Sequence, residues 1–156
     1  MGEVLTSTPS IDGVAIYPLR QIKDERGMVM HMLRGDAPHF EKFGEIYFSV
    51  VLPGVIKAWK LHKEMVSNFA VPQGEIKLVI YDGRPDSPTR GTVQEIVTGI
   101  DRYGLIRIPN GVWYGFKGQG ETPSMIANCA TLPHTPGESE QIESQSATIP
   151  YKWQID

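Results

Sequence analysis

Residues 45–83 read EIYFSVVLPGVIKAWKLHKEMVSNFAVPQGEIKLVIYDG. Four short runs rich in Val, Ile, Tyr and Phe lie inside this stretch, at 45–52, 55–61, 67–72 and 75–82. Pro53-Gly54, Gln73-Gly74 and Asp82-Gly83 punctuate them. β-Branched and aromatic side chains suit a pleated, half-buried surface, and Gly and Pro supply the backbone angles of turns, so the stretch reads as consecutive strands. The same signal continues outward at 14–18, 28–33, 92–98, 104–108, 112–117 and 124–130, with turns at Asn110-Gly111 and Gly118-Gln119-Gly120. One helical turn is expected at 37–43, capped by Asp36 and stopped by Gly44. Many short strands at turn-sized spacing predict an all-β sandwich, jelly roll or small barrel.

Composition narrows the classes of function. At 156 residues the chain suits one domain with a core of its own. Its 40% hydrophobic and 21% charged content is that of an ordinary globule. A net charge of −3 without a basic tract leaves no electrostatic footprint for nucleic acid. Cys129 is the one cysteine, so no intramolecular disulfide is available, and a small buried hydrophobe is its expected role. MGEVLTSTPS lacks a basic and then apolar start, and no apolar run has the ~20 residues of a membrane span, so a cytoplasmic protein is expected. Residues 1–12 are expected to form a loose arm, or one that pairs with another subunit. The polar segment 133–150, PHTPGESEQIESQSATIP, is expected to run extended over the surface before Trp153 docks.

Four segments together resemble the dTDP-4-dehydrorhamnose 3,5-epimerase family, a nucleotide-sugar branch of the cupins. Asp24-Glu25-Arg26-Gly27 is similar to its D-x-R-G. The stretch Gly54 to His62 is similar to the strand ending in R-G-L-H. Asp82 to Gly91, DGRPDSPTRG, is close to D-x-R-x-x-S-P-T-x-G, and Ile108 to Phe116, IPNGVWYGF, is similar to P-x-G-x-x-H-G-F. The resemblance spans roughly residues 16–153 and implies a single-domain, cupin-type jelly roll, a nucleoside-diphosphate sugar as ligand, no cofactor, and a homodimer.

The chemistry implied is epimerisation next to the keto group of a nucleotide-linked 4-keto-6-deoxy sugar. A base removes the alpha proton, the enolate oxygen is stabilised, and an acid returns a proton to the opposite face. His62 matches the family's base, and imidazole suits that task near neutrality. Alternation along a strand puts Lys60 on the face of His62, where an ammonium can meet enolate or phosphate. Arg26, with Asp24 beside it, matches the family's diphosphate contact, for which a guanidinium is well shaped. Lys57, Asn68 and Asn128 complete the expected substrate contacts. Trp59, Trp113 and Tyr81 are aromatics that could stack on a base, although such residues more often fill a core.

The sequence also departs from the family. Asn128 stands at or beside the position of the catalytic tyrosine, and asparagine delivers no proton. Tyr114 replaces a histidine and becomes the candidate acid. Trp59 replaces the arginine before G-L-H, and the family lysine near Ser67 is absent. Counting back from Trp153 to the orienting aspartate lands near Ser144–Ser146, with Glu143 the nearest carboxylate. These losses leave a non-catalytic sugar-nucleotide or carbohydrate-binding cupin as the alternative reading. A metal site is not expected, because Lys60 occupies the first position of a cupin H-x-H pair and His31, His39 and His134 are scattered.

Overall fold

A computed structural model describes residues 2–155. Among them the chain runs through β1 (Leu5–Thr6), β2 (Ala15–Pro18), β3 (Gln21–Asp24), β4 (Gly27–Met30), β5 (Glu45–Val51), β6 (Ile56–His62) and β7 (Ser67–Gln73). It continues through β8 (Glu75–Tyr81), β9 (Val93–Gly99), β10 (Gly104–Ile108), β11 (Trp113–Gly118), β12 (Ser124–Ala130) and β13 (Ser139–Gln141). Strands β1-β9-β8-β11-β6-β13 form a six-stranded sheet, β2-β10-β7-β12-β5 a five-stranded sheet, and β3-β4 a separate hairpin. The strand ladders are antiparallel. The expected all-β jelly roll is the observed architecture.

Alternation explains why the two sheets close on each other. Ile76, Leu78 and Ile80 of β8 with Tyr114 and Phe116 of β11 meet Phe69 and Val71 of β7, Ile106 and Ile108 of β10, and Ile126 of β12 in one buried cluster. Burying each large aliphatic or aromatic side chain contributes about 1.5–3 kcal/mol. The outer face of the six-stranded sheet is covered by the C-terminal segment, where Trp59, Val79, Ile149 and Trp153 are buried and Tyr81, Trp113 and Tyr151 pack around them. Trp59, Trp113 and Tyr81 therefore serve this outer layer. On the five-stranded sheet, Tyr103 and Leu105 are covered by Tyr17, Leu19, Met30, Met32 and Leu33.

Every expected strand region holds a strand, and three short strands lay outside the expectation. β1 belongs to the segment read as a loose arm, yet it pairs with β9 of the same chain, and Ile11 is buried. β13 lies in the polar segment 133–150 and pairs with β6. β3 escaped notice because Gln21–Asp24 holds a single β-branched residue; the tight return of the hairpin, Asp24 opposite Gly27, creates it. The helical turn expected at 37–43 is replaced by successive turns, Ala37 N–H to Arg34 O and Phe40 N–H to Ala37 O. Pro38 disfavours the helical region at Ala37, and the Asp36 carboxylate pairs with Arg34 at 2.7 Å instead of capping. Among the described residues no helix is long and apolar enough to cross a membrane.

The DGRPDSPTRG segment is a structural clasp at the end of β8. The buried Asp82 carboxylate accepts from Arg84 Nε at 2.9 Å, from Arg84 Nη2 at 3.0 Å, from Thr89 Oγ1 at 2.7 Å and from Ser87 Oγ. Burial alone would raise the Asp82 pKa, but the hydrogen bonds from Arg84, Ser87 and Thr89 outweigh it and hold the carboxyl well below the ordinary aspartate range. Its stabilisation is complete above that range and is lost as pH falls through and below it. Asp82→Ala strands a partly buried guanidinium and is expected to cost about 3–5 kcal/mol. Urea titration at neutral pH measures that loss, and the acid limb of stability should flatten in the variant.

Candidate active site

β5 and β6, joined by the Pro53-Gly54 turn, wall a cleft between the sheets. Two adjoining cavities of about 360 and 320 Å³ open there, and Tyr47 and Lys60 line both. Lys57, Ser49, Phe69, Tyr114, Phe116, Ile126 and Asn128 line the larger, while His62, Glu45, Met65, His134 and Glu138 line the smaller.

A bulge decides which side chains of β6 reach this cleft. Against β11, Lys57 pairs with Phe116, Ala58 with Gly115, and then Lys60 with Tyr114, so Trp59 is an extra residue. One inserted residue resets the alternation. Lys57 before the bulge and Lys60 and His62 after it all turn inward, while Trp59 enters the outer aromatic layer and donates its indole N–H to Ser144 O at 3.0 Å. Gly115 is required opposite Ala58, because a Cβ on it would collide with the Ala58 methyl. The Asn110-Gly111 turn fixes the end of the strand: Gly111, at φ +86°, donates its N–H to His62 O at 2.7 Å.

His62 sits buried at that end, held on both ring nitrogens. Its Nδ1 lies 2.7 Å from Glu138 Oε1, and its Nε2 lies 3.2 Å from Tyr114 Oη. The other oxygen of Glu138 accepts the backbone N–H groups of Glu64 at 3.0 Å and Met65 at 2.9 Å. Burial works to raise the Glu138 pKa, but those two N–H groups and His62 prevail and keep it below the usual glutamate range. An ionised Glu138 fixes the proton of the imidazole on Nδ1 and leaves Nε2, beside the Tyr114 hydroxyl, with the lone pair a general base needs.

Tyr114 is nearly fully buried, and desolvation, with the neighbouring Tyr47 and Glu138, pushes its pKa far above the ordinary tyrosine value. It is a neutral phenol on the same side of the cleft as the base. Lys60 lines the cleft half-buried, and no hydrogen bond or ion pair holds its Nζ among the described residues. Lys57 is tied across to β5, donating to Val50 O at 2.7 Å and Ser49 Oγ at 3.2 Å. Asn128 faces the larger cavity, donates from Nδ2 to Tyr47 Oη at 3.0 Å, and accepts the backbone N–H of Asn68 at 3.0 Å.

The sequence of this chain, matched to the description dTDP-4-dehydrorhamnose 3,5-epimerase, aligns over residues 8–156. The chain belongs to that family. A solved dTDP sugar isomerase from Desulfovibrio desulfuricans is similar at 51% identity, with a TM-score of 0.90 and 92% of each chain covered. A probable low-salt glycan biosynthesis epimerase of Haloferax volcanii is 38% identical over 125 residues, spanning 79% of this chain and 80% of that protein. A spore coat polysaccharide biosynthesis protein of Bacillus subtilis is 34% identical over 148 residues, 94% of this chain and 98% of its length. The chain is thus an isomerase of the nucleotide-sugar epimerase class.

Within this epimerase framework the structure corrects several expected residues. Where the sequence placed the orienting carboxylate near Ser144–Ser146, the structure sets Glu138 against His62 Nδ1, so one of the losses behind the non-catalytic reading is removed. Glu143 does not line either cavity. Asn68 turns its amide to Cys129 O at 3.0 Å and is spent on joining β7 to β12. Arg26 and Asp24 lie at the β3-β4 turn, paired with each other at 2.6 Å, with the Arg26 side chain 83% exposed and outside the cleft of its own chain. His62, Lys60, Lys57, Tyr114 and Asn128 are brought together. Tyr47 and Glu138 were missed. The register Tyr47 opposite Asn128 makes the first legible once the β5-β12 pairing is known.

Proposed function

We propose that this epimerase inverts one carbon alpha to the keto group of a nucleotide-linked 4-keto-6-deoxy sugar, with His62 Nε2 as the base. The observation that carries the reading is the buried Glu138–His62 pair at 2.7 Å, whose other ring nitrogen meets Tyr114 Oη at 3.2 Å beside a cleft that also holds Lys60, unpaired among the described residues. Proton removal leaves the electron pair on the former keto oxygen. Lys60, with no competing partner among the described residues, is the cation for that enolate. Electrostatic stabilisation of this kind accounts for about 10²–10³ in rate per donor. Lys57 and Asn128 line the wall of the larger cavity and serve as further substrate contacts. With Asn128 at or beside the family's tyrosine position, the proton donor stands in a different place and serves one of the two alpha carbons.

Proton NMR in D₂O with dTDP-4-keto-6-deoxyglucose tests the reading. The expected result is loss of one sugar proton signal, at C3 or at C5, as the product forms. Nucleotide binding without any exchange would overturn it.

A homodimer completes the proposal. β5 is the last strand of its sheet, and its outward side chains Ile46, Phe48 and Val50, with Leu52 just beyond it, form an apolar strip, with Phe48 62% exposed. A second copy covering the strip would bury these residues, and Arg26 on its protruding hairpin is then available to the diphosphate in the partner's cleft. Light scattering at micromolar concentration should give twice the chain mass, and Phe48→Glu should give the monomer. A monomeric wild type would refute the dimer.

A further inference from the structure

Inversion needs a proton donor on the face of the substrate opposite the base, and His62 is on β6 of the six-stranded sheet. Two phenols reach the cleft. Tyr114 is on β11, beside β6 in the same sheet, and its hydroxyl contacts Nε2 itself. It stands on the side of the base. Tyr47 is on β5 of the opposing sheet and lines both cavities.

Among the described residues, the hydrogen bonding of Tyr47 leaves its proton unspent. Asn128 Nδ2 donates to Tyr47 Oη at 3.0 Å, so the phenol oxygen is the acceptor there. Asn128 is itself held in place, its Oδ1 taking the Asn68 N–H at 3.0 Å. The amide orientation is therefore fixed, and the Tyr47 O–H remains to be directed into the cleft. A phenolate formed at this point would keep the Asn128 donor and share the cleft with the Lys60 ammonium. Tyr47 is half-buried, whereas Tyr114 is buried, so solvent can return a proton to Tyr47 between turnovers.

We infer that Tyr47 is the general acid, delivering its hydroxyl proton to the face of the enolate opposite His62. This inference rests on the epimerase reading given above. His62 Nε2 takes the alpha proton, and the C–H electron pair moves through the new C=C bond to the keto oxygen. The enolate then re-forms the C=O bond, and its carbon takes the proton of the Tyr47 hydroxyl. Imidazolium and phenolate remain, and solvent removes one proton and restores the other. Asn128 acts through Tyr47 as a positioning residue.

The test follows deuterium wash-in and product configuration together for wild type, Tyr47→Phe and Tyr114→Phe with dTDP-4-keto-6-deoxyglucose in D₂O. Tyr47→Phe should keep alpha exchange within about tenfold of wild type, with configuration retained, while inverted product falls about 10²–10⁴-fold, the contribution of one positioned acid. Tyr114→Phe should lower exchange and inversion in step. Inversion by Tyr47→Phe at the wild-type rate would overturn the assignment alone, as would equal loss of exchange and inversion by a variant that still binds dTDP. A wild type that exchanges no proton would overturn the epimerase reading itself and the assignment with it.

Discussion

His62→Ala is expected to abolish alpha-proton exchange, by about 10²–10⁴-fold or more, with nucleotide binding retained. The size follows from what the site offers in its place. Glu138 lines the smaller cavity, but its two oxygens are committed to backbone N–H groups and to the imidazole. Tyr114 is held neutral by its burial, so it supplies no base. Lys60 is a cation and stabilises negative charge. Glu45 lines the smaller cavity too, but its carboxylate is engaged by the backbone N–H of His134 at 2.9 Å. The same NMR experiment reads the loss, and titration of dTDP reads binding. Exchange at the wild-type rate in His62→Ala would remove the imidazole from the mechanism.

The fold was largely legible in the sequence because strand signals are local. Short β-branched runs between Pro53-Gly54, Gln73-Gly74, Asp82-Gly83 and Asn110-Gly111 located the main strands of both sheets. Strands lacking such runs, β3 and β13, form because a neighbour or a tight turn holds them. The site was legible only in part, since its parts are brought together by pairing. Alternation placed Lys60 with His62. Strict alternation would turn Lys57 to the opposite face, and the bulge at Trp59 is what brings it to the same cleft. Tyr47 in a strand reads as an ordinary β-former until its register against Asn128 is known. Glu138 lies 76 residues from His62 in a polar segment with no periodicity to reveal it. A count back from Trp153 misplaces it because the chain after Glu138 enters β13 and then passes along the outer face before docking.

Glu138→Gln should be nearly as damaging as loss of the imidazole, for a reason that turns on two backbone groups. In the native site Glu138 Oε2 accepts the N–H groups of Glu64 and Met65, and Oε1 accepts from His62 Nδ1. A glutamine has one oxygen to offer. The backbone N–H groups of Glu64, exposed, and Met65, part-buried, both compete for it, and a buried donor left unsatisfied costs about 1–3 kcal/mol. The amide NH₂ must then face Nδ1, which becomes an acceptor, and the ring proton moves to Nε2. That is the atom whose lone pair takes the substrate proton. The variant should fold and bind nucleotide, with KM little changed and kcat lowered by as much as about 10⁴, the loss seen when a catalytic imidazole is held in the wrong tautomer. Nitrogen-15 NMR of the labelled ring supplies the direct readout. Wild type should show a protonated Nδ1 and a bare Nε2 in the neutral ring, and Glu138→Gln the reverse. A variant with the native tautomer and wild-type kcat would show that Glu138 does no more than bind the backbone of Glu64 and Met65.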